Sequence, residues 1–219
     1  MEEIEYGIIR CRRKTIAIQV KQDGEVVVRA PLRIPEKSIV EFVDLKREWI
    51  ENAIRKQKEK SLKNDFSFEN GGKVKLFGED YIVCLHDARG VISNDYAYLR
   101  EDDPKQSFSN IAALYLRKYV GKHLPEIARE YGFDYSGYTI TKAATRWGSC
   151  GKNNRLNFTR ALVCLPPFAI DYVIVHELCH TNVRNHSAAF YDEVRRVMPN
   201  YAEAEKILKD NAYIARIFR

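Results

Sequence analysis

The chain has 219 residues, of which 45% are hydrophobic and 30% charged, with a formal net charge of +6. That is the composition of a soluble globular protein with a sizeable core, and no run approaches the roughly 18 consecutive apolar residues of a membrane helix. The basic excess is mild and spread over both halves, so it permits nucleic-acid contact without arguing for it. The first residues, MEEIEYGIIR, lack the basic start and apolar run of a secretory signal, and a cytoplasmic location is expected. Cys11, Cys84, Cys150, Cys164 and Cys179 are odd in number and widely spaced, with no C-x-x-C pair. Reduced thiols are expected, not a disulfide framework or a four-cysteine zinc site.

TIAIQV (15–20) and EVVVRAP (25–31) are β-branched runs, and the intervening KQDG suits a hairpin turn. Pro35 opens a helical pattern to about Lys63, with Ile39, Phe42, Val43, Leu45, Trp49, Ile50, Ala53 and Ile54 recurring on one face. Its far end, RKQKEKSLK, is charged enough to be a solvated helix end. Gly71 and Gly72 break the pattern, and KVKLFGEDYIVCLH (73–86) and YAYLR (96–100) read as strands. The polar EDDPK (101–105) is the best candidate boundary. It divides a β-rich region with one long helix, 1–103, from a second region, 104–219. In the latter, Ser109 to Tyr131 predicts a long amphipathic helix that Pro125 would kink or split. YTITKA (138–143) reads as a strand. RLNFTRALVCL (155–165) reads as a second strand or a strand followed by a loop, stopped by Pro166 and Pro167. Helices are then expected over 168–182, 187–197 and from Tyr201 to the end.

The chemistry concentrates in HELCHTNVRNH (176–186), which holds three of the five histidines. His176 and His180 are four apart, so on a helix both imidazoles face one side and can reach one metal ion. Glu177 stands beside the first ligand, where a general base can approach a metal-activated water without binding the metal. The apolar Tyr-Val-Ile-Val before the motif predicts a buried, rigid helix. His186 is the natural third ligand, but a continuing helix would carry it about 9 Å beyond His180. The chain must therefore turn back between Thr181 and Asn185. Val183 stands where the related H-E-x-x-H-x-x-G-x-x-H pattern places glycine. Asn182 or Asn185 would then supply the left-handed residue, and Ser187 could cap the next helix. Zinc suits this donor set, one ion per chain, although nickel or cobalt could substitute.

With RWGSC (146–150), LNFTRALVCLPPFAIDYVIVHELCH (156–180) and NHSAAFYDEV (185–194), the chain resembles the YgjP-like metallopeptidases, related to the SprT-like and WLM metalloproteases. The N-terminal half is also similar, with paired strands and a helix carrying KREWI (46–50). The resemblance implies an α+β fold with a zincin-like C-terminal core of helices and strands and an N-terminal β-rich extension. It implies that His176, His180 and His186 bind zinc, that Glu177 is the catalytic acid/base, and that the substrate is a peptide or protein. Cys179 and the bulky Arg184 depart from the family pattern.

RWGSC, following a strand, would form the edge or floor of a cleft where an extended peptide pairs. Arg146, or equally Arg160, would then meet an oxyanion or a substrate carboxylate. The expected activity is zinc-dependent hydrolysis of peptide bonds. The alternatives are a nucleic-acid-associated protease, as for SprT-like relatives, and a zinc protein without catalysis. RCRRK (10–14) and the lysine-rich helix end support the former.

Overall fold

A computed structural model describes residues 4–21, 24–62 and 66–218, with backbone alone for residues 56–62. The chain is a mixed α+β protein in two compact units, Met1–Asp65 and Phe66–Arg219.

The first unit has three strands, β1 (Tyr6–Cys11), β2 (Ala17–Val20) and β3 (Val26–Pro31), in the order β1-β3-β2. β2 and β3 form the expected antiparallel pair, from Ala17 opposite Arg29 to Val20 opposite Val26. The middle of the turn, Gln22 and Asp23, lies outside the described residues. β1 runs parallel to β3 and was not expected, because Ile8 and Ile9 are both exposed and the strand carries no alternation to read. The single predicted helix is two, α1 (Glu36–Leu45) and α2 (Arg47–Leu62). Lys46, at φ −103° and ψ 8°, breaks them and shifts the helical phase. Ile39, Val43 and Ile50 therefore pack on Val26, Val28 and Ala30, while Leu45 and Trp49 stay exposed. The side chains of the charged RKQKEKSLK end beyond Arg55 lie outside the described residues.

The second unit begins with β4 (Lys73–Leu76), β5 (Glu79–His86), β6 (Val91–Ser93) and β7 (Tyr96–Arg100), ordered β4-β5-β7-β6. Phe77 and Gly78, at φ 53° and +88°, make the two-residue turn between β4 and β5. The helix expected from Ser109 starts earlier, as α3 (Pro104–Tyr131). Asp103 accepts the Gln106 N–H at 2.9 Å and Pro104 occupies the first turn. EDDPK is thus a helix start. The break expected at 103 falls within the second unit, where Val74, Leu76, Val83, Ala97 and Leu99 share one core with Phe108, Ala112 and Leu116 of α3. Pro125 leaves α3 continuous.

A third sheet follows, of β8 (Gly137–Thr141), β9 (Gly148–Cys150) and β10 (Arg155–Thr159), ordered β8-β10-β9. β10 is parallel to β8 and antiparallel to the edge strand β9. After a 3-10 turn over Arg160–Cys164 come α4 (Pro167–Asn182), α5 (Ala188–Val197) and α6 (Tyr201–Asp210). Pro166 and Pro167 open α4 as well as ending the preceding element. α4 is buried nearly all round, with Ile170, Val173, Ile174, Val175, Leu178 and Cys179 in the core. A helix packed on every side holds its few polar side chains in fixed directions.

Candidate metal centre

His176 and His180 project from the last turns of α4, and His186 returns to them. One nitrogen from each ring lies within 4.8 Å of the others. His176 Nε2 and His186 Nε2 are 3.1 Å apart. Two nitrogens sharing a tetrahedral ion at roughly 2.0–2.1 Å lie about 3.3 Å from each other, so the spacing fits a metal site.

The return is made without any left-handed residue. Among the described residues other than glycine only Phe77, Asn94 and Asn154 have positive φ, so neither Asn182 nor Asn185 plays that part. Instead α4 stops at Val183, which is extended at φ −126° and ψ 107°. Arg184 then clamps the loop to the β9–β10 turn. Its guanidinium donates to Gly151 O at 2.8 Å, Lys152 O at 3.3 Å and Asn154 Oδ1. The bulky residue that departs from the family pattern is what secures the turn. Ser187 sits at the N-cap of α5, but its hydroxyl makes no capping bond; its carbonyl accepts the Phe190 and Tyr191 N–H groups.

The rings are oriented from behind. His180 Nδ1 lies 3.0 Å from Val183 O, a contact that requires the proton on Nδ1 and leaves Nε2 as a donor to metal. His176 Nδ1 lies 3.3 Å from the Tyr172 hydroxyl, which itself donates to Glu205 Oε1 at 2.7 Å. With its own proton committed to Glu205, the Tyr172 oxygen accepts from His176, which again leaves Nε2 free. Phe190, fully buried, packs on all three rings with centroids 4.5–4.9 Å away. Burial, then the neighbouring His180 and His186, pushes His176 down to about 3, and burial also lowers His180. Neutral imidazoles are the form that binds metal.

Glu177 is 5% exposed, and its Oε2 has no hydrogen-bond partner among the described residues. Burial pushes its carboxyl up to about 8, while Arg146 opposes the shift. Gly148 of β9 lies against it: a Cβ there would meet Glu177 Oε1 at 2.5 Å. The glycine of RWGSC is therefore the space that the carboxylate occupies. Arg146 and Trp147 line a cavity of about 200 Å³ with Gly148, Ser149 and Asn157. RWGSC thus runs along the sheet edge beside Glu177. Arg160 is placed differently. Its guanidinium donates to Ser109 O and Oγ of α3, and among the described residues it contacts neither Glu177 nor the histidines. Cys179 is a fully buried core thiol pushed up to about 12 by burial.

Sequence reasoning missed Tyr172, Glu205, Phe190 and Gly148. Only Gly148 carried a local signal, as a glycine next to a tryptophan in a short strand. The others act through contacts across the fold.

A histidine triad with a buried, unpartnered carboxylate next to one of its members fits the donor chemistry of a divalent-metal hydrolase. The family model for the YgjP-like, metallopeptidase domain matches residues 14–211. No curated protein matches the chain. One solved structure, the crystal structure of the metallopeptidase zymogen of Pyrococcus abyssi abylysin, is similar at 22% identity with a TM-score of 0.38. The match covers 41% of this chain and 92% of that one. With the family model spanning most of its length, the chain belongs to the YgjP-like metallopeptidase family.

Proposed function

We propose that this metallopeptidase is a zinc-dependent hydrolase of peptide bonds, with its machinery in residues 104–219. His176, His180 and His186 would hold one zinc ion and Glu177 would act as general base. The observation that carries this reading is the convergence of three imidazole nitrogens within 4.8 Å, next in sequence to a buried carboxylate with an unpartnered oxygen. Zinc, when bound, supplies Lewis acidity that polarises a carbonyl and favours hydroxide over water near neutral pH.

The protein's own groups do the rest. Glu177 accepts a proton at Oε2 from the water that attacks the peptide carbonyl, then gives it to the amine nitrogen that leaves as the C–N bond breaks. Its raised pKa favours uptake of that proton, and a nearby dication would draw the group back toward the ionised form that can accept it. Gly148 keeps the carboxylate in place, and the β9 edge offers main-chain groups to an extended peptide. Arg146, exposed beside this edge, is the better candidate for a substrate anion, because Arg160 is already engaged by Ser109. Tyr172 and Glu205 fix the His176 tautomer.

The nucleic-acid alternative gains little. Arg10 of RCRRK is committed to backbone carbonyls, with Ile34 O at 2.8 Å. Among the described residues no helix is long and apolar enough to cross a membrane. The test is Glu177→Gln. Loss of hydrolysis by about 10²–10⁴-fold with zinc retained is the expected result; undiminished hydrolysis overturns the assignment.

A further inference from the structure

The loop between β8 and β9 carries Thr145, Arg146 and Trp147, and the 3-10 turn Ile214–Arg216 carries Ala215 and Arg216. These residues line one cavity of about 380 Å³, whose lining includes Arg146 and Arg216 and, among the described residues, no Asp or Glu. Arg146 and Trp147 also line the smaller cavity that runs along Gly148, the residue packed on Glu177. Apart from Arg146, the polar groups of that smaller cavity are neutral and partly engaged: Asn157 donates to Ser149 Oγ at 3.3 Å, and Thr159 donates to Ala143 O at 2.6 Å.

Several arginines of the same unit are engaged, although Arg89, Arg117 and Arg129, like Arg146 and Arg216, donate to no acceptor among the described residues. Arg155, Arg160, Arg184, Arg195 and Arg196 each donate hydrogen bonds to protein acceptors. Among the described residues neither Arg146 nor Arg216 has a hydrogen-bond or ion-pair partner. A cavity lined by two arginines and, among the described residues, by no acidic side chain favours an anion over a cation or a neutral group. Guanidinium groups match a carboxylate in geometry and charge, and the Trp147 ring offers an apolar wall to the methylene groups that carry one.

We propose that the cavity between Arg146 and Arg216 is a carboxylate subsite, which makes an anionic group close to the cleaved bond the mark of a good substrate. The phrase "cleaved bond" rests on the hydrolase reading; the carboxylate site itself does not. The anion would be an acidic side chain or the free C-terminus of a peptide.

Trp147 supplies the probe. The chain has two tryptophans, so Trp49→Phe leaves Trp147 as the sole indole. Zinc-loaded full-length protein is rapidly mixed with acetylated, amidated peptides in which Glu or its isostere Gln steps through each position. The neutral peptides are also tested with a free C-terminal carboxylate. Fluorescence reads binding, and mass spectrometry reads cleavage.

Anionic peptides are expected to bind about tenfold more tightly than neutral ones. Arg216→Gln and Arg146→Gln would each abolish most of that preference, and Arg216→Glu would turn it toward lysine peptides. Whether the Glu series or the free C-terminus carries the preference identifies the source of the anion. Equal binding of Glu and Gln peptides, no binding of any probe, or a preference that survives Arg216→Gln overturns the subsite. A carboxylate held by zinc instead would survive that substitution. An anion preference without cleavage of any peptide leaves the subsite standing and removes the hydrolase reading, whereas cleavage without the preference does the reverse.

Discussion

The histidine cluster and the arginine rim lie in the same unit and are built in opposite ways. His176 and His180 each have a partner for the ring nitrogen turned away from the cluster, and Phe190 packs against all three imidazoles. Arg146 and Arg216 are exposed, and no acceptor among the described residues holds them. A metal site must be pre-formed, because its ligands gain from fixed tautomer and direction. A rim that meets different substrates gains from uncommitted charge. Rigidity in one and openness in the other is the division expected between chemistry and selection.

Substitutions that loosen the rigid side have the largest predicted effects. Gly148→Ala would place a Cβ 2.5 Å from Glu177 Oε1, displacing the carboxylate. Hydrolysis is expected to fall about 100-fold or more with zinc content unchanged, which paired kinetics and metal analysis would check. Tyr172→Phe keeps the packing but removes the acceptor for His176 Nδ1 and the bond to Glu205. Zinc affinity is expected to drop about 10- to 100-fold, with Glu205→Gln giving a smaller loss; competition with a fluorescent chelator measures both. Arg184→Met removes the clamp on the returning loop. Because this arginine is exposed, the cost to stability is expected to be only about 1 kcal/mol, read by denaturant unfolding.

A pH effect is expected in the metal-free protein. Glu177 is raised from 4.5 to about 8 by burial, so the folded chain keeps a proton that the unfolded chain releases. Glu177 therefore lowers stability progressively as pH rises from about 4.5 to 8. His176 is lowered from 6.5 to about 3, so it lowers stability as pH falls through that window. Glu177→Gln is expected to raise the thermal midpoint over the wild type at pH 8 but not at pH 4. A constant difference across that range would contradict the buried-carboxylate account.

Much of the site was legible because its signals are local. The i, i+4 histidines, the adjacent glutamate and the apolar run before them point to a buried helix that presents two histidines on one face beside a glutamate. The existence of a turn before His186 followed from helix rise alone. How the turn is made did not, because the clamp joins Arg184 to residues 151–154, about thirty positions earlier in the chain. Tyr172 and Glu205 meet across 33 residues, and Gly148 meets Glu177 between a strand and a helix. No periodicity reports such contacts. Of the fold, the strongly alternating strands and the long helices were readable. β1 was not, since its isoleucines are exposed, and the start of α3 was hidden because a capping Asp-Pro reads equally well as a linker.

The central claim is that three histidines form one metal site, with His186 brought back by an extended turn. Metal analysis of the purified protein beside His186→Ala tests it most directly. One zinc ion per chain, with affinity reduced by orders of magnitude in His186→Ala, is the predicted result. Unaltered zinc affinity in that variant would contradict it.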